Sequence, residues 1–553
     1  MTALVRGTAS EQRPPPPSPR RVVGAIGGGR RRLDLAAIAL PTLLAAGLCA
    51  YQLGTRSLWL DEAASFSIAS QHGGALGPAL ARDGGNMLAY YGLLHVLTGA
   101  FGAGAVLLRI PSAVAACVTA GLTAAICLQL WDRRIAVSAG MLTAVSLTLV
   151  YWGQDARSYT LMMALIAGSF LTLLWLLDGT GPGWARWLTY VALTVAALYA
   201  GLEAALIVPA QMVVLLWRRD RLWPVLSAIL TAALACLPLA ILAAERGSGQ
   251  LFWVPAPSLR TAKQILQALT SSGLQPGYYT ATGDALLILT LGVLLTGSVL
   301  VLARVRSRAP GSHPLVLVLA WLTVPVLLAL LISLAGHSIF QARYALVSLP
   351  AVGILIAWTL RAAPVPTGTG VAVLAVLLTL RALALAPSYG ASTEQWRAAT
   401  AFVSAQARSG DCVAFYPLDT RMPFEYYGGA SGRLPDPVLP TLPWGRVRPY
   451  VEEYRTLSRG QLAVLPARCA RVWLVWSHEG QAGGPPVSAA NFRRLLSLRR
   501  GLALRFPRTA LHVFGHASPI HVELFKGAAW PGPDIVEQPL LTRTPARAVR
   551  GAA

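Results

Sequence analysis

Charge is what this sequence has least of. Only 12% of its 553 residues are charged, about half the roughly 25% usual in soluble domains, and that scarcity excludes an ordinary water-soluble protein of this size. Lysine is nearly missing: Lys263 and Lys526 are the only two, so the formal net charge of +23 rests on arginine. The arginines fall in short runs between apolar stretches and do not form one basic face, which excludes nucleic acid as the expected partner. A nucleotide-phosphate loop is also lacking. The glycines of "GAIGGGRRR" (24–32) follow no strand and lead to no Lys-Ser/Thr. The first apolar run begins at Leu33 and is too long for a cleavable signal peptide.

What is present is hydrophobic: 55% of the residues. Runs able to cross about 30 Å of hydrocarbon predict about eleven spans, at 33–54, 105–131, 135–152, 158–178, 186–200, 203–217, 222–243, 282–303, 315–335, 343–360 and 366–386. Arg30 to Arg32, "DRR" at 132–134, "RRDR" at 218–221, "RVRSR" at 304–308 and Arg361 then share one side, which the bias of arginine makes cytoplasmic. The apolar stretch 86–101 is too short to cross and is expected as a helix lying at the interface. The fold class expected is a polytopic α-helical membrane protein with a C-terminal extracytoplasmic α/β domain. Residues 1–32, rich in Pro, Gly and Arg, form a disordered cytoplasmic tail. Residues 33–387 form the membrane domain, with outer loops at 55–104 and 244–281. Residues 388–535 alternate amphipathic helices ("TEQWRAATAFVSAQAR", "SAANFRRLLSLRR") with strands ("VAFY", "RVWLVW", "LHVFGHASPIHVELF"), and 536–553 is a loose tail.

Four cysteines (49, 117, 127 and 236) lie in apolar spans as small core residues. Cys412 and Cys469 each precede a strand, and they can pair only if that region faces an oxidising compartment.

The remaining polar segments gather on the outer face. Asp61 and Glu62 follow the first span, where a carboxylate near hydrocarbon costs about 2.5–3.5 kcal/mol and therefore marks a candidate functional site. Both also suit the start of a helix. "YWGQDARSY" (151–159) brings Asp155 and Arg157, and "ARYALVSLP" (342–350) brings Arg343 and Tyr344. An outward arginine opposes the positive-inside bias, and a guanidinium grips phosphate oxygens. Asp155 and Arg157 can simply pair with each other, and Arg343 can snorkel to headgroups. Taken together, a carboxylate base and arginines fit transfer to a hydroxyl acceptor with a departing phosphate.

The segments "LWLDEA" (58–63), "LLRIPSAV" (107–114), "YWGQDARSY" (151–159) and "ARYALVSLP" (342–350) occur in the order seen in polytopic glycosyltransferases of the GT-C superfold. The chain resembles their RgtA/B/C/D-like and protein-mannosyltransferase-like group (glycosyltransferase family 39-like) over roughly 33–387. That resemblance implies Asp61 as the catalytic carboxylate with Glu62 beside it. It places Asp155, Arg157, Arg343 and Tyr344 on the substrate or its phosphate. It further implies a polyprenyl-phosphate sugar donor, a glycan, lipid or protein acceptor, inversion at the sugar, and a bacterial plasma-membrane location with the N-terminus cytoplasmic. Some such enzymes use a divalent cation, and no residue pattern here independently indicates one. One departure is "DGGNMLAYYGLLH" (83–95), which replaces a Pro-rich entry; His95 within it is expected as a packed interfacial histidine, and Lys263 as a solvated one. The competing functions are a lipid or solute transporter, which would put charges on interrupted helices near the bilayer midplane, and a non-catalytic scaffold displaying the outer domain.

Overall fold

A computed structural model describes residues 28–178, 183–247, 254–274, 282–309, 311–429, 434–446 and 454–527. Most of the expected N-terminal tail and all of the C-terminal one lie outside those residues. The chain opens with α1 (Gly28–Ala50), then α2 (Leu60–Ala69), α3 (Leu76–Arg82) and α4 (Leu88–Phe101) in the first large loop. Next come α5 (Ala105–Leu130), α6 (Arg133–Ala144), α7 (Leu147–Gly153), α8 (Tyr159–Asp178), α9 (Gly183–Ala200) and the short α10 (Val208–Met212). The membrane part closes with α11 (Leu222–Ala235), α12 (Leu237–Arg246), α13 (Leu259–Thr270), α14 (Gly283–Arg306), α15 (Ser312–Leu334), α16 (Leu349–Ala362) and α17 (Thr367–Leu385).

Among the described residues seven helices are long and apolar enough to cross a bilayer, and two bent pairs, α6 with α7 and α11 with α12, bring the number to nine. The other two expected spans exist as helix but fall short of that test: 186–200 lies in α9, and 203–217 is broken into short turns around α10. The α4 helix, 14 residues long, is the short element expected at 86–101.

The bend of 57° between α6 and α7 matters for the site because it delivers residues 154–158. Asp132 caps the start of α6, its Oδ1 accepting from Arg134 N and Ile135 N, and Ser146 restarts the helix as the cap of α7. The carbonyls freed at such a break need partners. Arg381 of α17, fully buried, supplies one by donating to Leu142 O at 2.5 Å. Small residues let the helices approach: a Cβ on Gly353 of α16 would lie 2.6 Å from Thr143 Oγ1 and 3.1 Å from Ala139 O of α6.

The C-terminal part holds α18 (Trp396–Gln406), β1 (Asp411–Tyr416), α19 (Arg421–Gly428), β2 (Asp436–Leu439), α20 (Arg459–Arg468), β3 (Arg471–Trp476), α21 (Pro486–Ala503), β4 (Arg508–Phe514) and β5 (Ile520–Lys526). Strand order is β2-β1-β3-β5-β4. β1 runs parallel to β2 and β3, while β5 is antiparallel to β3 and β4. Strands β1 and β3 are buried throughout, as expected where both faces are covered. Trp396, Val403 and Phe424 of α18 and α19 fill one face; Leu462, Leu495 and Leu498 of α20 and α21 fill the other. A disulfide joins Cys412 to Cys469, tying β1 to the turn before β3.

Candidate active site

Asp61 and Glu62 occupy the first turn of α2. Successive helical residues diverge by about 100°, so the two carboxylates part company. Glu62 turns inward and is 1% exposed. Arg109 of α5 grips it with both arms, Nε to Oε1 at 2.7 Å and Nη2 to Oε2 at 2.8 Å, and Ala156 N donates to Oε1 at 2.8 Å. Arg109 Nη1 also donates to Leu53 O and Arg56 O. Burial raises the Glu62 carboxyl, but the charge and hydrogen bonds of Arg109, the Ala156 N–H and the charge of Arg56 outweigh it and hold the group below its ordinary value. Glu62 is thus an ionised tether between α2, α5 and the 154–158 turn. It is too well satisfied to serve as a base beside Asp61.

Asp155 belongs to this inner cluster. It is 2% exposed, and Oδ1 accepts from Trp59 Nε1 at 2.9 Å. Burial, then the negative charge of Glu62, raises its carboxyl well above the ordinary value. The expectation that Asp155 helps bind substrate phosphate meets a different geometry, because the side chain faces Trp59 and Glu62 behind α2. Arg56 closes the cluster, donating to Tyr151 O and Gln154 O with its guanidinium 4.2 Å from the Tyr151 ring centre.

Asp61 points the other way. Its side chain is 18% exposed, with Oδ2 3.4 Å from Arg343 Nη1 and 3.8 Å from Arg157 Nη2. Arg157 reaches it from the turn between α7 and α8, donating also to Tyr91 OH at 3.3 Å. Arg343 comes from the turn before α16, and Tyr159 OH lies 3.3 Å from its Nη1. Three segments remote in sequence therefore converge on one carboxylate. Tyr91 OH in turn donates to Asp83 Oδ2 at 3.0 Å. Burial raises the Asp83 carboxyl to about 7, with Arg157 and the Tyr91 hydroxyl pulling it down and Asp61 pushing it up.

Beside Arg343 opens a cavity of about 500 Å³ lined by Trp152, Ser258, Arg260, Thr261, Gln264 and Gln341 among others. Tyr344 is 9% exposed and does not line it among the described residues. Lys263 is exposed on α13, whereas Arg260, one turn earlier, lines the cavity. His95 packs at the interface of α4 and α2, Nδ1 donating to Ala69 O at 2.7 Å.

No three His, Cys, Asp or Glu side chains come together as a metal-binding set among the described residues. Two guanidinium groups approach Oδ2 of Asp61.

The C-terminal domain holds the same segment from above. Ser57 N donates to Ser392 Oγ at 3.0 Å, Leu58 N to Tyr427 OH at 2.6 Å, and Leu60 N to Glu394 Oε2 at 3.0 Å. Arg397 donates to Thr55 O and Gly54 O. Met422 of α19 packs on Ala63 and Ala64 of α2. Sequence reasoning overlooked Arg56, Arg109, Asp83, Tyr91 and Glu394. Arg109 carried a readable signal, a lone arginine inside an apolar run; Glu394 carried none.

No protein-family model and no curated protein sequence matches the chain. Solved structures do. ArnT from Cupriavidus metallidurans in the apo state superposes with a TM-score of 0.51 at 13% identity, over 90% of this chain and 98% of that one. The archaeal oligosaccharyltransferase AglB from Archaeoglobus fulgidus, in complex with an inhibitory peptide and a dolichol-phosphate, gives 0.53 at 12% identity, over 92% and 75% respectively. The chain therefore has the polytopic GT-C fold of membrane glycosyltransferases, with a small sheet domain appended.

Proposed function

We propose that the protein is an integral-membrane glycosyltransferase that moves a single hexose or pentose from a polyprenyl-phosphate donor to a hydroxyl outside the cytoplasm. The observation that carries this reading is the meeting of Asp61, Arg157 and Arg343, the last of which also lines the neighbouring cavity. The dolichol-phosphate held by AglB, whose fold the chain shares, supports a lipid-phosphate donor. The disulfide in the outer domain supports an oxidising, extracytoplasmic side.

Without donor, Asp61 is the counter-ion of both arginines. An incoming phosphate competes for those guanidinium groups, which bind it bidentately, and leaves Asp61 beside the sugar as a base. The acceptor hydroxyl gives its proton to Asp61 while its oxygen bonds to the anomeric carbon. The bond from that carbon to the phosphate oxygen breaks, its electron pair leaves with the polyprenyl phosphate, and Arg343 and Arg157 stabilise the charge. A single displacement inverts the anomeric centre. Glu62, fixed by Arg109, holds the α2 turn against the Arg157 turn through Ala156. The acceptor is a cell-envelope glycan, a lipid-linked glycan or a protein.

The test is to incubate purified protein with a panel of radiolabelled polyprenyl-phosphate pentoses and hexoses and a membrane extract as acceptor. Donor-dependent release of polyprenyl phosphate with label in the acceptor is expected for one sugar. Release from none refutes the reading.

A further inference from the structure

The carboxyl ends of the parallel strands in an open α/β sheet are where such sheets present ligand-facing loops, and here that edge faces the membrane domain. β1 ends at Tyr416 and β3 at Trp476, paired in register. Two residues beyond β3, His478 sits with φ at 55°, a left-handed conformation that non-glycine residues seldom hold without cause. Its Nε2 lies 2.8 Å from Glu394 Oε1. Glu394 is fully buried and fully used: its other oxygen accepts from Trp396 Nε1 and, at 3.0 Å, from Leu60 N, the amide one residue before Asp61. A chain of two hydrogen bonds therefore runs from the tip of the outer domain to the first turn of α2. At this helix terminus Trp59 makes no side-chain cap bond, and the carboxylate of a residue distant in sequence accepts from the first-turn amide.

We propose that His478 is a positioning residue of the transfer site, holding Glu394 on the amide of Leu60 and so fixing the direction of the Asp61 carboxylate, and that its protonation makes this hold pH-dependent. The groups facing the imidazole are Glu394 from the linker before α18, Asp61 from α2 and Glu479 from its own loop; Tyr454 OH bonds its carbonyl at 3.2 Å. Partial desolvation pulls the His478 ring down, its side chain being 37% exposed, but the charge and hydrogen bond of Glu394, helped by Asp61 and Glu479, raise it above its ordinary value. The charged pair is thus complete below about pH 6.5 and weakens as pH rises through the raised value. The C-terminal domain becomes, on this view, a part of the active site that reports external pH to the base.

The kinetic consequence rests on the glycosyltransferase reading, so the first measurement is independent of it. Hydrogen exchange of the amides in 57–66 is followed from pH 6 to 9, corrected for intrinsic rate, in full-length protein. His478→Ala is expected to speed exchange of the Leu60 segment about tenfold, the scale of one charge-assisted hydrogen bond, and to abolish its pH dependence. Protection of β3 and β5 should stay unchanged. His478→Gln, which keeps a donor without a charge, should restore part of the protection at every pH. Glu394→Gln is the second variant: it should keep protection and lose the pH dependence. Equal exchange in wild type and His478→Ala, or the same pH response in all variants, overturns the proposal. Where transfer is measurable, His478→Ala should lower kcat about tenfold with donor KM unchanged; a rise in KM at constant kcat contradicts it. If no donor supports transfer, the functional reading falls and the exchange result still decides this one.

Discussion

Arg109→Met is the sharpest probe of how the first turn of α2 is held. The wild-type pair is almost dry, with side chains 1% and 2% exposed, and both carboxylate oxygens of Glu62 are bonded to the guanidinium. Methionine fills much of the same volume and returns none of those bonds. Glu62 then keeps the Ala156 amide but loses both guanidinium bonds, and the carbonyls of Leu53 and Arg56 lose a donor. Removing one partner of a buried pair costs about 3–5 kcal/mol, a large share of a stability of about 5–15 kcal/mol. The pH response should also invert. In wild type the Glu62 carboxyl lies below its ordinary value, so its contribution is present above about pH 4.3 and lost only as pH falls through the lower folded value. In the variant burial dominates, the carboxyl moves up, and stability should fall as pH rises through neutrality. Glu62→Gln in the Arg109→Met background removes the stranded charge and should recover at least about half of the loss. The assay is thermal unfolding by tryptophan fluorescence in detergent from pH 5 to 8. A single-variant loss under about 1 kcal/mol, the scale of an exposed pair, or a double variant less stable than either single one, would refute the reasoning.

Three further outcomes follow from the structure. Burial holds Asp83 at about 7, so the folded state binds a proton that the unfolded chain has released. Stability should therefore decline as pH rises from about 4 towards 7, and Asp83→Asn should flatten that decline in a melting-temperature series. Reducing Cys412–Cys469, which are separated by 57 residues, should destabilise the outer domain by about 4 kcal/mol on the chain-entropy estimate; limited proteolysis of β1 and β3 with and without reductant reads this. Arg343→Lys keeps the charge and loses the planar fork. It should lower kcat/KM for the donor lipid by about ten- to a hundredfold, and an unchanged value would remove Arg343 from the phosphate.

Much of the architecture was legible because bilayer spans write themselves as long apolar runs. Nine of the eleven runs became helices or bent helix pairs long enough to cross, 186–200 lies in α9, 203–217 broke into short turns, and α4 is short at 14 residues. Bends were not legible. The 57° break between α6 and α7 depends on Ser146 and on Arg381, some 235 residues later, donating to Leu142 O. Strand β2, "DPVL", was missed because Pro437 within it erases the strand signal and only pairing with β1 makes it one. Asp61, Arg157 and Arg343 stood out through charge in the wrong solvent. Glu62 carried the same signal but turns behind α2, since adjacent helical residues diverge and sequence does not say which of them meets the arginines, and Asp155 joins it there from the turn after α7. Glu394 and His478 were invisible, being ordinary residues of a soluble-looking domain until the fold sets that domain's edge on Leu60.

The most direct measurement of the central claim is sugar transfer by Asp61→Asn in protein that still binds polyprenyl phosphate. Asparagine keeps the shape of the side chain and cannot accept the acceptor's proton. Turnover should drop by at least about a hundredfold while lipid-phosphate binding, which the proposal assigns to Arg157 and Arg343, persists or tightens as the competing carboxylate disappears. Transfer at the wild-type rate by Asp61→Asn would contradict the account.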